Sequence, residues 1–243
     1  MIPLHDDNPT ELTPLVTVAL IVACSAVFLY EASLPDKLVE AFIMQYGAIP
    51  ALVLGTAEAA KGLPVELPDA PPYWSLVTSM FLHGGWMHLI GNMLYLWIFG
   101  NNIEDVMGHA RFVVFYAVCG VLAALSHILI DPASTVPMVG ASGAISGVLG
   151  AYLLLFPRAQ VLVLIPLGLM TRMMYVPAGF VLGMWFVMQL LSGGVSLGSK
   201  GGGVAFFAHI GGFVAGMALI GLFKRSDVRF FAARRHRGWQ RWD

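Results

Sequence analysis

The stretch GASGAISGVLGAY, residues 140–152, lies inside a charge-free apolar run, yet it carries glycines, alanines and two hydroxyls where a lipid-facing helix would carry Leu and Phe. Gly143 and Gly147 form a G-x-x-x-G step, and Gly212 and Gly216 form a second one near the end of the chain. Steps of this kind let two helix backbones approach closely inside a membrane. The two runs that carry them therefore read as neighbours, and Ser142 stands at the start of the first.

Composition sets the class. The chain has 243 residues, of which 58% are hydrophobic and only 11% charged, with a mean hydropathy of +0.79. A soluble domain of this length carries roughly a quarter charged residues. The apolar residues are gathered into six runs free of Asp, Glu, Lys and Arg, at about 12–30, 80–103, 112–130, 138–157, 173–199 and 201–223. Each approaches the roughly 20 residues that cross a bilayer as a helix. Backbone groups in lipid must be satisfied within the segment, so each run predicts one helix. The expected fold is all-α, a six-helix membrane bundle over residues 1–223, with a long connection at 32–79 and a basic tail at 224–243. Tyr73 and Trp74 follow two prolines in that connection and suggest an element lying at the membrane interface.

Six crossings place both termini on one side. Lys224, Arg225, Arg229, Arg234, Arg235, Arg237 and Arg241 in the tail join Arg111, Arg158 and Arg172 on that side, against Lys37, Lys61 and Lys200 on the other. The positive-inside rule then predicts a multi-pass cell-membrane protein with cytoplasmic termini and residues 32–79 outside. A net charge of −1 gives no reason to invoke nucleic acid, and the basic tail reads as a topology anchor in contact with lipid headgroups. The start of the chain lacks the basic region of a cleavable signal peptide. Cys24 and Cys119 match no metal-ligand spacing and read as small, reduced core residues.

With the even-numbered runs all crossing inward, their N-terminal ends share one depth. The second opens with HGGWMHLIGN, carrying His83, His88 and Asn92; the fourth opens with Ser142; the sixth opens with AFFAHIGG, carrying His209. His88 and Asn92 are four residues apart and share a helix face. Close packing of the fourth and sixth helices would bring the Ser142 hydroxyl to the His209 imidazole, the minimal pair for nucleophilic catalysis. His88 and Asn92 could donate to an oxyanion. Read singly, each group has a plainer account: a packing serine, an interhelical amide, a satisfied histidine. Their agreement in depth favours a site.

These residues resemble the rhomboid family of intramembrane serine proteases. HGGWMHLIGN is similar to its H-x-x-x-x-H-x-x-x-N signature, GASG to its G-x-S-G motif and AHIGGFVAG to its A-H-x-x-G-x-x-x-G motif. EDVMGHARF, residues 104–112, resembles the pattern E-x-x-x-G-x-x-R-F that follows the second helix. The resemblance runs from about residue 12 to 222. It implies Ser142 as nucleophile, His209 as general base, and His88, Asn92 and the Ser142 N–H as oxyanion donors. It implies structural roles for His83 and for Gly140, Gly143, Gly212 and Gly216, and implies that Glu104 and Arg111 brace the cytoplasmic loop. The fifth helix is implied as a side gate. Substrates would be transmembrane segments of membrane proteins, often cut after a small residue, with no cofactor needed. Some relatives carry an aromatic residue one turn after the nucleophile, under the histidine; here Ser146 stands there, so another group must orient the base.

Two other readings remain open at this level. One is a non-catalytic membrane-protein binder of the same fold. The other is a transporter or metal site lined by His83, His88, His127 and His209, although no zinc-hydrolase spacing such as H-E-x-x-H accompanies them.

Overall fold

A computed structural model describes residues 1–55, 71–167, 170–196 and 205–231. The expectations for Lys61, for Lys200 and for the tail beyond 231 fall outside the described residues. The chain is mostly helical. Among the described residues four helices are long and apolar enough to cross a membrane: α1 (Leu15–Ser33), α5 (His109–Ile130), α7 (Ala178–Ser196) and α8 (Phe206–Phe223). Helix α3 (Trp86–Tyr95) runs through a π-helical turn at Leu96–Gly100 into α4 (Asn101–Met107), with right-handed helical dihedrals at both junctions. Helix α6 (Ser142–Leu155) is shorter at 14 residues, but eleven of them are buried. Helix α2 (Asp36–Tyr46) and the short helical turns between residues 72 and 81 belong to the long connection.

The helices pack on α6 and α8. A methyl group built on Gly212 would run into the Gly143 carbonyl oxygen, and one on Gly216 into the Gly147 carbonyl oxygen. On the other face of α6, a methyl on Gly143 would lie 2.7 Å from the Ala123 Cβ of α5. Glycine at these sites is a steric demand, because the two backbones are in direct contact. Phe99, Phe112, Phe115, Tyr152 and Phe213 fill the remaining interior and are buried. Cys24 and Cys119 are free thiols in that core. Helix α1 contributes a single stripe, Thr17, Cys24, Phe28 and Glu31, and turns its other sides outward.

Carboxylates tie the loops at the end of the bundle opposite Ser142. Glu104 accepts hydrogen bonds from the Val16 and Thr17 N–H groups at 2.9 and 2.8 Å and from the Thr17 hydroxyl at 2.6 Å. A helix N-terminus leaves unpaired donors and a positive dipole end, and a carboxylate answers both. Asp105 does the same for the Glu11 and Leu12 N–H groups. Of the two residues expected to brace this loop, Glu104 holds it through Val16, Thr17 and His109. Glu104 is fully buried, and its remaining partner is His109, at 2.6 Å, while Arg111 points outward. Gly108, with φ +78°, makes the reversal between α4 and α5 that brings His109 back to Glu104.

The all-α expectation needs correcting. Strands β1 (Ile2–Asp6), β2 (Gln160–Leu167) and β3 (Met170–Pro177) form an antiparallel sheet in the order β1-β2-β3. The run at 173–199 starts as strand, and its helix begins only at Ala178. The physical signal is local. Val161 and Val163 are buried and alternate with half-buried Leu162 and Leu164, the period of a strand. Pro166 and Pro177 interrupt any helix through the segment. The apolar content of this hairpin resembles that of a membrane helix, and hydropathy alone does not separate them. The start of the tail is likewise docked: the Arg225 N–H donates to the Val106 carbonyl and the Phe231 N–H to the Leu154 carbonyl.

Strand β1 also delivers Asp6 to a buried polar cluster. Its Oδ2 accepts from Asn102 Nδ2 at 2.9 Å and from the Tyr152 hydroxyl. Burial pushes the Asp6 carboxyl up to about 6 from 3.8, only partly offset by the Tyr152 hydrogen bond. A raised acid pKa means that the folded state holds the proton more tightly than the unfolded state. The stability this confers is therefore full below about pH 4 and is lost as pH rises through about 6. Thermal unfolding in detergent should show that loss between pH 4 and 7, and Asp6→Asn should flatten it.

The helix contact yields a second expectation. Gly216→Ala should destabilise by about 1–3 kcal/mol through overpacking. Gly183→Ala, where a methyl meets nothing within 4 Å, should be neutral or slightly stabilising. Melting temperatures of the two variants measured side by side decide the point.

Candidate active site

The N-terminus of α6 is prepared by Gly140. Its φ of +122° is a conformation that side chains rarely adopt. Its N–H donates to the Ser79 carbonyl at 2.9 Å, which pins the segment to the end of the long connection. Ala48 and Met138 exchange backbone hydrogen bonds at 3.0 and 2.8 Å and pin it a second time. A methyl on Gly140 would lie 2.7 Å from both Cε1 and Nε2 of His88 and 3.7 Å from Nδ2 of Asn92. Glycine here is thus required twice, by dihedral and by the side chains of α3.

Ser142 follows at the first position of α6. The first intrahelical bond near it runs from the Ile145 N–H to the Ala141 carbonyl at 3.0 Å. The N–H groups of Ser142, Gly143 and Ala144 are therefore the free donors that begin the helix, and the dipole there favours negative charge. Ser142 Oγ and His209 Nε2 are 2.7 Å apart. The two come together because α6 and α8 touch along Gly143, Gly147, Gly212 and Gly216, with Ser142 one residue before one glycine step and His209 three before the other. Ser146, one turn further along α6, is buried and donates to the Ser142 carbonyl at 2.6 Å. It bonds to its own helix and does not touch the imidazole.

His88 and Asn92 face the same small space. His88 Nδ1 accepts from the Gly84 N–H at 3.3 Å, which assigns its ring proton to Nε2, the nitrogen beside Gly140. Asn92 Nδ2 is buried and has no hydrogen-bond partner among the described residues. A buried donor left unpaired costs about 1–3 kcal/mol, and this one borders the ground between α3 and Ser142. Gly120, Ala123, Gly143, Ala144, Ala205 and Ala208 line a cavity beside Ser142, together with the larger Leu76, Met80, Met138 and Val139. His83 sits just behind. Its N–H donates to buried Glu31 at 3.3 Å, its Nδ1 is 3.2 Å from the Phe81 carbonyl, and its ring meets the edge of the His88 ring at 5.2 Å. This joins α1 to the start of α3. Among the described residues, no three His, Cys, Asp or Glu side chains come together to hold a metal. His83, His88, His127 and His209 do not form one cluster.

One partner of the site carries no motif in the sequence. Gln189 Oε1, from α7, lies 2.8 Å from His209 Nδ1. Trp185, four residues earlier, places its ring 5.9 Å from the His209 ring, at 38°. The available signal was a lone carboxamide in an otherwise apolar helix, which in lipid needs a partner.

The arrangement is a serine hydroxyl on an imidazole, with N–H donors and a cavity beside them. Residues 70–226, more than half of the chain, match the Rhomboid domain. The chain is 31% identical over 174 residues to Rhomboid protein 1, mitochondrial, of Saccharomyces cerevisiae, covering 69% of this chain and 46% of that protein. It is 34% identical over 148 residues to RHOMBOID-like protein 7 of Arabidopsis thaliana, covering 60% and 41%. It is 40% identical over 81 residues to Rhomboid protease GluP of Bacillus subtilis, covering 33% and 15%. The matched region is less than half the length of each of these relatives. By its domain match, its motifs and the contacts that bring them together, this chain is a membrane protein of the rhomboid family.

Proposed function

We propose that the chain is an intramembrane serine endopeptidase that cleaves transmembrane segments of other membrane proteins. The observation that carries this reading is the 2.7 Å contact between Ser142 Oγ and His209 Nε2 at the start of α6. Ser142 attacks the scissile carbonyl carbon as His209 Nε2 takes the hydroxyl proton. The carbonyl oxygen, now negative, is held by the Ser142 N–H, His88 Nε2–H and Asn92 Nδ2–H, with the α6 dipole adding to them. The imidazolium returns its proton to the departing amine nitrogen. Water, activated by the same histidine, then releases the acyl group. No cofactor enters. The cavity beside Ser142 is narrowed by Leu76, Met80, Met138 and Val139, which favours a substrate whose side chain next to the cut is small.

In this reading α1, the continuous α3–α4 segment, α5, α6, α7 and α8 are six spans of the cell membrane. The lysine and arginine distribution supports cytoplasmic termini, with residues 32–79 and the Ser142 end of the bundle outside. Residues 1–223 form the membrane domain and the basic segment after it the tail. His83, Gly140, Gly143, Gly212 and Gly216 shape the site without reacting.

The test incubates purified protein with a model transmembrane substrate. Ser142→Ala should abolish cleavage with the fold intact, and His209→Ala should do nearly the same. The double variant should be little worse than either, since the pair acts as a unit. Ser146→Ala should retain substantial activity, because its hydroxyl serves only its own helix. Cleavage that survives Ser142→Ala sinks the reading.

Asn92 gives a separate expectation. Asn92→Ala should lower kcat with little change in KM, because its donor is engaged only as the oxyanion forms. Losing one such donor costs on the order of 3 kcal/mol in the transition state. A rise in KM alone would move Asn92 to substrate binding.

A further inference from the structure

Helix α7 reads AGFVLGMWFVMQLLSGGVS, and Gln189 is its single carboxamide. Trp185 and Phe186 precede Gln189 by four and three residues, so the three share one helix face. That face is turned on α8. The Phe186 ring stacks on Phe213 at 4.4 Å and 17°, and the Trp185 ring lies 5.9 Å from both Phe213 and His209. Gly193, one turn beyond Gln189, lets Ile210 and Phe206 approach, so a methyl there would lie 3.4 Å from each. The α7–α8 contact therefore sets the position of Gln189 along the helix axis, opposite His209.

The imidazole lies between two partners. Its Nε2 faces Ser142 Oγ at 2.7 Å and its Nδ1 faces Gln189 Oε1 at 2.8 Å. A neutral imidazole carries one ring proton, and the hydrogen bond at one nitrogen sets the state of the other. Only a ring with its proton on Nδ1 keeps a lone pair on Nε2 to receive the serine proton. Ser146, at the position where an aromatic ring would support the base, bonds to its own helix instead.

We propose that Gln189 is the positioning residue for His209: its side-chain carbonyl accepts the Nδ1 proton, holds the ring in the tautomer that can deprotonate Ser142, and fixes the ring plane. The working unit is then Ser142–His209–Gln189, contributed by α6, α8 and α7. This inference rests on the roles of Ser142 and His209 proposed above. When the ring becomes protonated, both nitrogens donate, and the amide carbonyl remains a correctly placed acceptor. A carboxamide does this without placing a charge in the bilayer, where a carboxylate would be expensive.

The test uses the full chain in detergent, with two substitutions and one spectrum. Gln189→Met keeps the volume and removes the acceptor. Its kcat should fall about tenfold to a hundredfold, the range known for outer partners that orient metal-bound histidines, while KM stays within about twofold. Gln189→Glu keeps an acceptor oxygen at the same reach in either protonation state, so it should restore most of the kcat that Gln189→Met loses. Nitrogen-15 NMR of histidine-labelled wild type should show the His209 proton on Nδ1, and Gln189→Met should mix the tautomers. This spectrum needs no turnover, so it reports on Gln189 even if the chosen substrate is not cut and the protease reading itself fails. It also decides the matter if Gln189→Glu does not fold. A proton found on Nε2 in wild type, or a Gln189→Met variant with wild-type kcat, overturns the proposal.

Discussion

Everything at the site depends on the direct backbone contact between α6 and α8. Within lipid, helix association gains little from hiding apolar surface, because the alternative surroundings are equally apolar; close packing supplies the attraction instead. Gly212 sits against the Gly143 carbonyl and Gly216 against the Gly147 carbonyl, and any side chain would separate the helices. Ser142 and His209 lie on the ends of these two helices, so the separation of their polar atoms is set by the same contact. An increase of an ångström in the helix spacing would break a 2.7 Å hydrogen bond. Packing and chemistry are here one constraint.

The two ends of the bundle treat helix N-termini in opposite ways. At one end, the buried carboxylate of Glu104 closes the first turn of α1 with three hydrogen bonds. That turn has no free donor capacity left for a ligand. At the other end, the first N–H groups of α6 are left open, Gly140 keeps side chains away from them, and Asn92 Nδ2 is held buried and unpaired nearby. Unpaired buried donors are unfavourable in the resting fold. They become favourable only when negative charge forms among them, which is the condition for stabilising a transition state more than a ground state.

The sheet and the N-terminal segment explain how short α6 is held. Tyr152, near the end of α6, is fully buried against Phe99 at 5.0 Å and donates its hydroxyl to Asp6 of β1. Strand β1 pairs with β2, which follows α6 in the chain, and the Asp7 carboxylate accepts from the Gln160 N–H at 2.8 Å. The far end of α6 is therefore anchored by residues from the other end of the sequence. The near end is anchored by Ser79 and Ala48 from the long connection. Ser142 is thus presented by a helix clamped at both ends rather than by a mobile loop.

Much of this was legible in the residues themselves. Charge-free runs predict apolar helices because lipid offers the backbone no other partner, and the glycine steps predict which helices touch because only glycine permits backbone contact. Ser142, His209, His88 and Asn92 could be selected because polar groups in such runs are rare and all four share one depth. Three features were decided by tertiary structure. The hairpin of β2 and β3 is as apolar as a span, and its strand character depends on pairing with β1, more than 150 residues away in sequence. Glu104 caps α1 instead of pairing with Arg111, because burial places it against the Val16 and Thr17 N–H groups. Gln189 meets His209 because aromatic stacking between α7 and α8 sets their register. Spacing along a chain reports what lies on one face of one helix; which faces meet is settled by packing between helices, and that is where the second partner of the histidine was determined.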